Sequence, residues 1–377
     1  MEEIERCTRC VLPTSLPSVT LDENGVCNHC NKYDKLFGNW EDIETQKRRE
    51  FENYLQKAKR LNRNYDCLIA LSGGKDSTYA LYLCSKVYDL KCLCVTFDNG
   101  FLSGYAKKNI KNAIDATNAD HIYYNVNHHL MMILFRLFLV KCGNFCPVCM
   151  RGINLVTHMS EYYNTPLAVT GGGRRIAYMA QHPEVFQSGD NDYFRKVLKG
   201  EPVAKIASQM YRQTFSSQFK WMMRQGLRVL RVSIPFLQQH TIGIHNYIYT
   251  PVYSVMDILK KEMGWTRPDD GFEHMDCLLH NIAFYGYTLK FPGITPTTFH
   301  NSGLIRLGQM NRDEAIVIEK NYLDNPQAPP ELDSFLGEIK MSRDEYEYYM
   351  KDWKRLDKFR SKKEKAFIAA VSRVTRI

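Results

Sequence analysis

Six consecutive residues, Ser72-Gly73-Gly74-Lys75-Asp76-Ser77, follow the largely apolar run Asp66-Cys67-Leu68-Ile69-Ala70-Leu71, and their types suit the binding of a phosphate chain. Two glycines let a backbone turn tightly and bring its N–H groups close to an anion. A helix starting near Asp76 would add the positive end of its dipole. Lys75 supplies a mobile point charge for a phosphate oxygen, Ser72 and Ser77 supply hydroxyl donors, and Asp76 is a hard oxygen ligand suited to Mg2+. The common phosphate loop G-x-x-x-x-G-K-S/T is excluded, because Ile69 and not glycine stands five residues before Gly74.

Metal chemistry is written into the cysteines. Of 12 in the chain, Cys7-x2-Cys10 and Cys27-x2-Cys30 form two pairs separated by 16 residues, a spacing that suits four-thiolate Zn2+. Pro13, Pro17 and Asn24-Gly25 between them are turn residues, and a structural ion would fold a segment too small to hold itself by apolar burial. Four protein thiolates leave no open position for catalysis. Cys146 and Cys149, in Phe145-Cys146-Pro147-Val148-Cys149, and the remote Cys277 make a second set, with Cys142 nearby. They suit a second Zn2+, three corners of a [4Fe–4S] cluster, or plain burial as small apolar residues. Cys67, Cys84, Cys92 and Cys94 lie on apolar segments and read as core.

The elements that must position these groups alternate. Strands are predicted at 66–71, 91–97, 121–126, 166–170 and 228–234, and helices at 76–86, 104–117, 130–142 and 148–163. Such alternation predicts an α/β fold, an open parallel sheet with helices on both faces, whose ligands bind beyond the carboxyl ends of the strands. Two further strand ends carry turn chemistry, Asp98-Asn99-Gly100 and Gly171-Gly172-Gly173-Arg174-Arg175. Asp98 could accept a bond from an adenosine, the glycines permit close approach, and Arg174 could face pyrophosphate. The chain divides into a cysteine ribbon at 1–40, a charged helical linker at 41–64, the sheet domain at 65–235 with a polar, aromatic helical insertion at 176–225 that could form a lid, and a mostly helical region at 236–377.

A chain of 377 residues, 44% apolar and 24% charged, has the composition of an ordinary globular protein with room for two domains. The net charge is +9, and 341–377 alone holds 11 Lys and Arg against six Asp and Glu. A solvated helix, nucleic acid, anionic sugar nucleotides or a protein partner would each account for that tail. The chain opens Met1-Glu2-Glu3-Ile4-Glu5, and its longest apolar stretch, 130–140, is short and broken by Arg136, so a cytoplasmic location without a membrane partner is the expectation.

In its strand–turn–helix context, Ser72 to Ser77 resembles the PP-loop of the ATP pyrophosphatases, which split ATP between its α- and β-phosphates and adenylylate a substrate oxygen. The wider order of motifs is similar to the N-acetyl sugar amidotransferases of bacterial surface-glycan biosynthesis, and covers nearly the whole chain. It comprises the Cys7-x2-Cys10-Val11-Leu12-Pro13-Thr14-Ser15 ribbon, the loop, the Phe145–Cys149 run, Thr170-Gly171-Gly172-Gly173 and the stretch 271–280.

That resemblance implies conversion of an acetamido group on a sugar or sugar nucleotide to an acetamidino group, with ATP, Mg2+ and ammonia, in lipopolysaccharide O-antigen or flagellar glycan synthesis. Lys75 and Asp76 would be catalytic. Ser72, Gly73, Gly74, Ser77, Asp98, Gly171, Gly172, Gly173 and Arg174 would bind ATP with them. Ammonia would come from a separate glutaminase and cyclase-like pair, and Glu273, His274 and Asp276 are candidates to take its proton. Two other readings stand beside it: a PP-loop tRNA thiolase, in which the basic tail and a cluster on Cys146, Cys149 and Cys277 would serve RNA, and a nucleotide-sensing module without catalysis.

Overall fold

The computed structural model describes residues 4–172, 191–204, 240–267 and 276–352. Five strands, β1 (Cys67–Ala70), β2 (Cys92–Asp98), β3 (Asp120–Asn125), β4 (Leu167–Thr170) and β5 (His240–Gly243), form one sheet in the order β3-β2-β1-β4-β5. Every neighbouring pair is parallel, with Cys67 opposite both Cys92 and Leu167. The central strand β1 buries Cys67, Leu68 and Ile69 in succession, as a strand covered on both faces must. The edge strand β3 is more exposed along its length.

Helices α1 (Asn28–Phe37) and α2 (Trp40–Arg60) precede the sheet; α3 (Lys75–Tyr82), α4 (Gly104–Thr117), α5 (His128–Cys142) and α6 (Cys146–Tyr162) connect its first four strands. Their ends follow local chemistry. Ser103 caps α4 by accepting from the Ala106 amide at 3.0 Å, and Asn127 caps α5 through the Leu130 amide at 3.0 Å. Gly143 stops α5 in the left-handed conformation, φ 60°. The predicted helix 76–86 is divided: α3 ends at Tyr82 and a wider π turn, Leu83–Val87, carries Leu83 and Cys84 into the core.

Two layers sandwich the sheet. On one face Phe51, Leu55 and Ala58 of α2 join Tyr79, Leu81, Ile110 and the helix α8 (Val252–Met263). On the other, α6 lays Val156 against Leu68, Leu93 and Val95. Helix α2 thus occupies most of the segment expected as a helical linker, 41–64, and packs on the sheet through Phe51, Leu55 and Ala58. Its predominantly charged sequence hid three apolar positions at helical spacing.

The predicted strand 228–234 lies outside the described residues. The described fifth strand, β5, pairs with β4 beyond residue 235, so the sheet continues into the stretch read as helical. With only four residues and one of them apolar and buried, Ile242, it gives no periodic signal. Of the insertion, α7 (Asn191–Leu198) buries Tyr193, Phe194, Val197 and Leu198 in a third core beside α5, with Phe138 and Phe194 rings 4.8 Å apart.

The same third core takes in the four ribbon cysteines and residues of the carboxy-terminal helices α9 (Leu278–Lys290), α10 (Thr298–Arg306), α12 (Leu332–Glu338) and α13 (Arg343–Lys351), while α11 (Arg312–Asp324) packs against α10. No helix among the described residues is long and apolar enough to cross a membrane. If α2 is a structural layer, Phe51→Ala should destabilise the protein by about 3–5 kcal/mol. A lowered midpoint in urea unfolding would show it, and an unchanged midpoint would return α2 to a linker.

Candidate active site and metal centre

Strand order reverses between β1 and β4, the switch point at which open parallel sheets bind ligands. The loop Ser72–Ser77 leaves β1 there, and Gly171 and Gly172 leave β4 beside it. Contact between the two loops is direct. A side-chain carbon at Gly171 would fall 2.4 Å from the Asp76 carbonyl carbon and 2.6 Å from the Ser77 nitrogen, so only glycine fits. Gly73 needs its freedom for a different reason, a left-handed φ of 80° with the Ala106 backbone pressed against it.

Hydrogen bonds then fix the loop. The Gly73 carbonyl accepts from the Trp265 indole at 3.1 Å and from the Asn109 amide at 3.2 Å. Asn109 is itself held by the Thr266 backbone at 2.8 and 2.9 Å. Ser77 Oγ receives the Ser72 amide at 3.1 Å, lies 3.0 Å from Ser72 Oγ and donates to the Gly74 carbonyl at 3.1 Å. The backbone is therefore set before any ligand arrives.

Lys75 and Asp76 open α3, with Lys75 buried and its Nζ 2.6 Å from Asp76 Oδ1. His245 Nε2 reaches the same oxygen at 3.3 Å. Burial pushes the Asp76 carboxyl up, but the Lys75 ammonium and the His245 imidazole outweigh it and hold the group well below the usual carboxylate range. His300 lies near this pair; burial, with help from the Lys75 charge, lowers its imidazole to about 4, so it is neutral at pH 7. A cavity of about 360 Å³, its open mouth included, is lined by Lys75, Asp76, His245, Tyr249, Thr250 and Gln309 with apolar neighbours.

Asp98 ends β2 and turns one carboxylate oxygen to the Gly100 amide at 2.8 Å, forming the strand-end turn. Gly173, Arg174, Glu273 and His274 lie outside the described residues. Asp276 is placed at the loop: a side-chain carbon on Gly74 would be 3.0 Å from its Oδ2, and its Oδ1 is 3.5 Å from His280 Nδ1. His245, His300, Asn109 and Trp265 were not among the predicted site residues. Nothing in the sequence near His245 marks a strand end.

The second cysteine set is partly assembled. The Asn99 amide donates to Cys149 Sγ at 3.5 Å and to Cys277 Sγ at 3.3 Å, while Cys146 Sγ lies 3.2 Å from the Tyr287 hydroxyl. Burial pushes the Cys149 thiol up, and the Cys277 thiol to about 12. Among the described residues, only Cys7, Cys10, Cys27 and Cys30 form a group of His, Cys, Asp or Glu ligand atoms all within 4.8 Å of one another. Cys67, Cys84, Cys92 and Cys94 are buried, as core residues should be.

All four ribbon thiols are buried. Amides of Arg9, Cys10 and Cys27 donate to Cys7 Sγ at 3.4, 3.3 and 3.1 Å, the backbone pattern that stabilises a coordinating thiolate. Hydrogen bonds from neighbouring thiols, Cys27 first, together with the Arg306 charge lower the Cys10 thiol to about 7. Soft donors in so small a volume, with amides aimed at sulfur, fit tetrahedral Zn2+.

The ribbon is docked on the carboxy-terminal helices. Arg312 donates from Nε to the Cys7 and Cys10 carbonyls at 3.2 and 3.1 Å, and Arg6 to the Gly293 carbonyl at 2.6 Å. Glu319, buried beneath, accepts from Thr295 at 2.9 Å, Thr297 at 3.1 Å, Asn301 at 2.9 Å and Thr298.

Residues 274–373 match the family described as LPS biosynthesis protein WbpG-like, C-terminal domain. Over 336 residues the chain is 22% identical to the uncharacterized protein MJ1599 of Methanocaldococcus jannaschii, covering 87% of this chain and 96% of that one. A comparison of structures pairs it with the U34-tRNA thiolase NcsA from Methanococcus maripaludis, solved with its [4Fe-4S] cluster. That pairing has 15% identity and covers 93% of this chain and 89% of the other, at a TM-score of 0.34, too low to carry an argument about fold or chemistry. The matched region takes in the carboxy-terminal helices α9 to α13.

Two outcomes are expected. Cys7→Ser should take bound zinc from about one ion per chain toward zero and lower thermal stability, because the ribbon anchors the third core; metal analysis of the purified variant checks it. Gly171→Ala should weaken ATP binding at least tenfold and destabilise the protein by about 1–3 kcal/mol, since backbone and not a flexible side chain fills the space. Calorimetric titration with ATP measures the first effect and thermal unfolding the second.

Proposed function

We propose that the chain is an ATP-dependent amidotransferase of the PP-loop type, which adenylylates the acetamido oxygen of an N-acetylated sugar and substitutes ammonia to give an acetamidino sugar. The observation that carries this reading is the convergence of the ends of β1, β4 and β5 on Lys75 and Asp76 at the switch point, in a chain whose carboxy-terminal region matches a glycan-biosynthesis family.

The acetamido oxygen attacks the α-phosphorus of ATP, pyrophosphate leaves, and an O-adenylyl imidate forms. Ammonia adds at the imidate carbon, AMP departs with the original oxygen, and the excess proton of ammonia passes to a base. Lys75 stabilises charge gathering on pyrophosphate, and amides at the start of α3 hold its oxygens; preorganised donors of this kind act most strongly where water is excluded. When bound, Mg2+ would neutralise phosphate charge, and the single carboxylate of Asp76 suits an ion that keeps water and phosphate oxygens as its other ligands.

Asp276, beside Gly74 and paired with His280, is the described group best placed to receive the proton. We place the enzyme in the cytoplasm, where ATP and sugar nucleotides occur. Ammonia from a separate glutaminase partner completes the proposal, with O-antigen or flagellar glycan as the product's destination.

Incubation of the full chain with ATP, Mg2+, ammonia and a panel of acetamido sugars should release pyrophosphate and AMP and lower the sugar's mass by about one unit, as replacement of oxygen by NH requires. Asp76→Asn should cut the rate by about 10²-fold or more while the protein stays folded. Pyrophosphate release that answers to tRNA and to no sugar would overturn the assignment in favour of thiolation. ATP binding without turnover on either would favour a sensing module.

A further inference from the structure

We infer that His245 is the residue that positions the Asp76 carboxylate for the nucleotide's Mg2+, an inference that rests on the ATP-binding part of the proposed function. Three observations lead there. First, His245 sits in the turn Ile244–Asn246 at the carboxyl end of β5, and its own amide donates to the Gly172 carbonyl at 3.3 Å. Ile244 and Ile248 on either side are buried in the sheet core, so the turn is anchored and its imidazole has a fixed origin.

Second, the imidazole is 5% exposed and its Nε2 is 3.3 Å from Asp76 Oδ1; as the Nε2–H tautomer it donates to that oxygen. Third, Lys75 Nζ holds the same oxygen at 2.6 Å. One oxygen of the carboxylate thus takes two donors from different elements while Oδ2 takes neither of these bonds, which sets the direction in which Oδ2 points.

The two donors are not equivalent. Lys75 is a long, flexible cation whose task in the proposed reaction is at phosphate, and an ammonium that turns to a phosphate oxygen leaves the carboxylate. Among the described residues, His245 is then the donor that remains on Oδ1. A ring N–H held on an anchored turn is well suited to this: it fixes the direction of the carboxylate, as partners of metal-ligating groups do elsewhere.

Calorimetric titration of the full chain with ATP, with and without Mg2+, on wild type, His245→Ala and His245→Gln tests the inference. Glutamine places an amide N–H at a reach similar to Nε2. For His245→Ala, Mg2+-dependent ATP affinity should fall by roughly tenfold or more, with metal-free ATP affinity unchanged, and His245→Gln should recover most of the loss. Wild-type behaviour of His245→Ala would overturn the inference. So would equal losses in both variants with and without Mg2+, which would make His245 a packing residue only. Wild type that binds ATP but modifies no acetamido sugar sinks the acceptor assignment and leaves this test standing; wild type that binds no ATP overturns both.

Discussion

Everything at the candidate site depends on one close approach, the packing of the β4 loop against the backbone of Asp76 and Ser77. It requires Gly171, since any side-chain carbon there would overlap main-chain atoms that cannot move aside. Because the contact is backbone to backbone, it locks the start of α3 to the end of β4. Through Gly172 and the His245 amide it reaches β5 as well. Donors that are to meet an anion act best in a geometry fixed beforehand, and this packing, with the bonds to the Gly73 carbonyl from Trp265 and Asn109, fixes the backbone of the loop.

The second anchor is electrostatic and lies at the other end of the molecule. Four buried thiols share one small volume, amides point at the Cys7 sulfur, and Arg306 and Arg312 reach the ribbon from the carboxy-terminal helices. A divalent cation would balance such a set, and the bonds from Arg306 and Arg312 tie the ribbon to the carboxy-terminal helices. The ribbon is docked on the carboxy-terminal helices, and the residues that lead into the first of them, Asp276 and Cys277, lie beside the Ser72–Ser77 loop and Leu102. Ribbon, helices and loop are thus joined by a continuous series of contacts.

Legibility in the sequence followed the range of the interactions. Ser72–Ser77 declared its turn through two glycines, and four of the five strands were visible as apolar runs. β5 was not, because only Ile242 of its four residues is buried and apolar, and pairing with β4 instead of composition makes it a strand. The packed role of α2 was obscured by the charges around Phe51, Leu55 and Ala58. The pairing of Cys149 with Cys277 through Asn99 joins residues 128 positions apart, and no local pattern announces it.

By itself the sequence determined the local chemistry: a glycine turn that can cradle phosphate, two cysteine pairs spaced for a metal, and an alternation that commits the chain to a parallel sheet. These follow from backbone freedom, ligand spacing and hydrophobic period, which act over a few residues. Only the tertiary structure decided which groups meet. It brought His245 to Asp76 across 169 positions and set Asp276 beside Gly74. It left Cys146 facing Tyr287 instead of joining a compact set with Cys149 and Cys277. The reason is physical: a side chain's reactivity depends on its neighbours within a few ångströms, and the fold selects those neighbours from the whole chain.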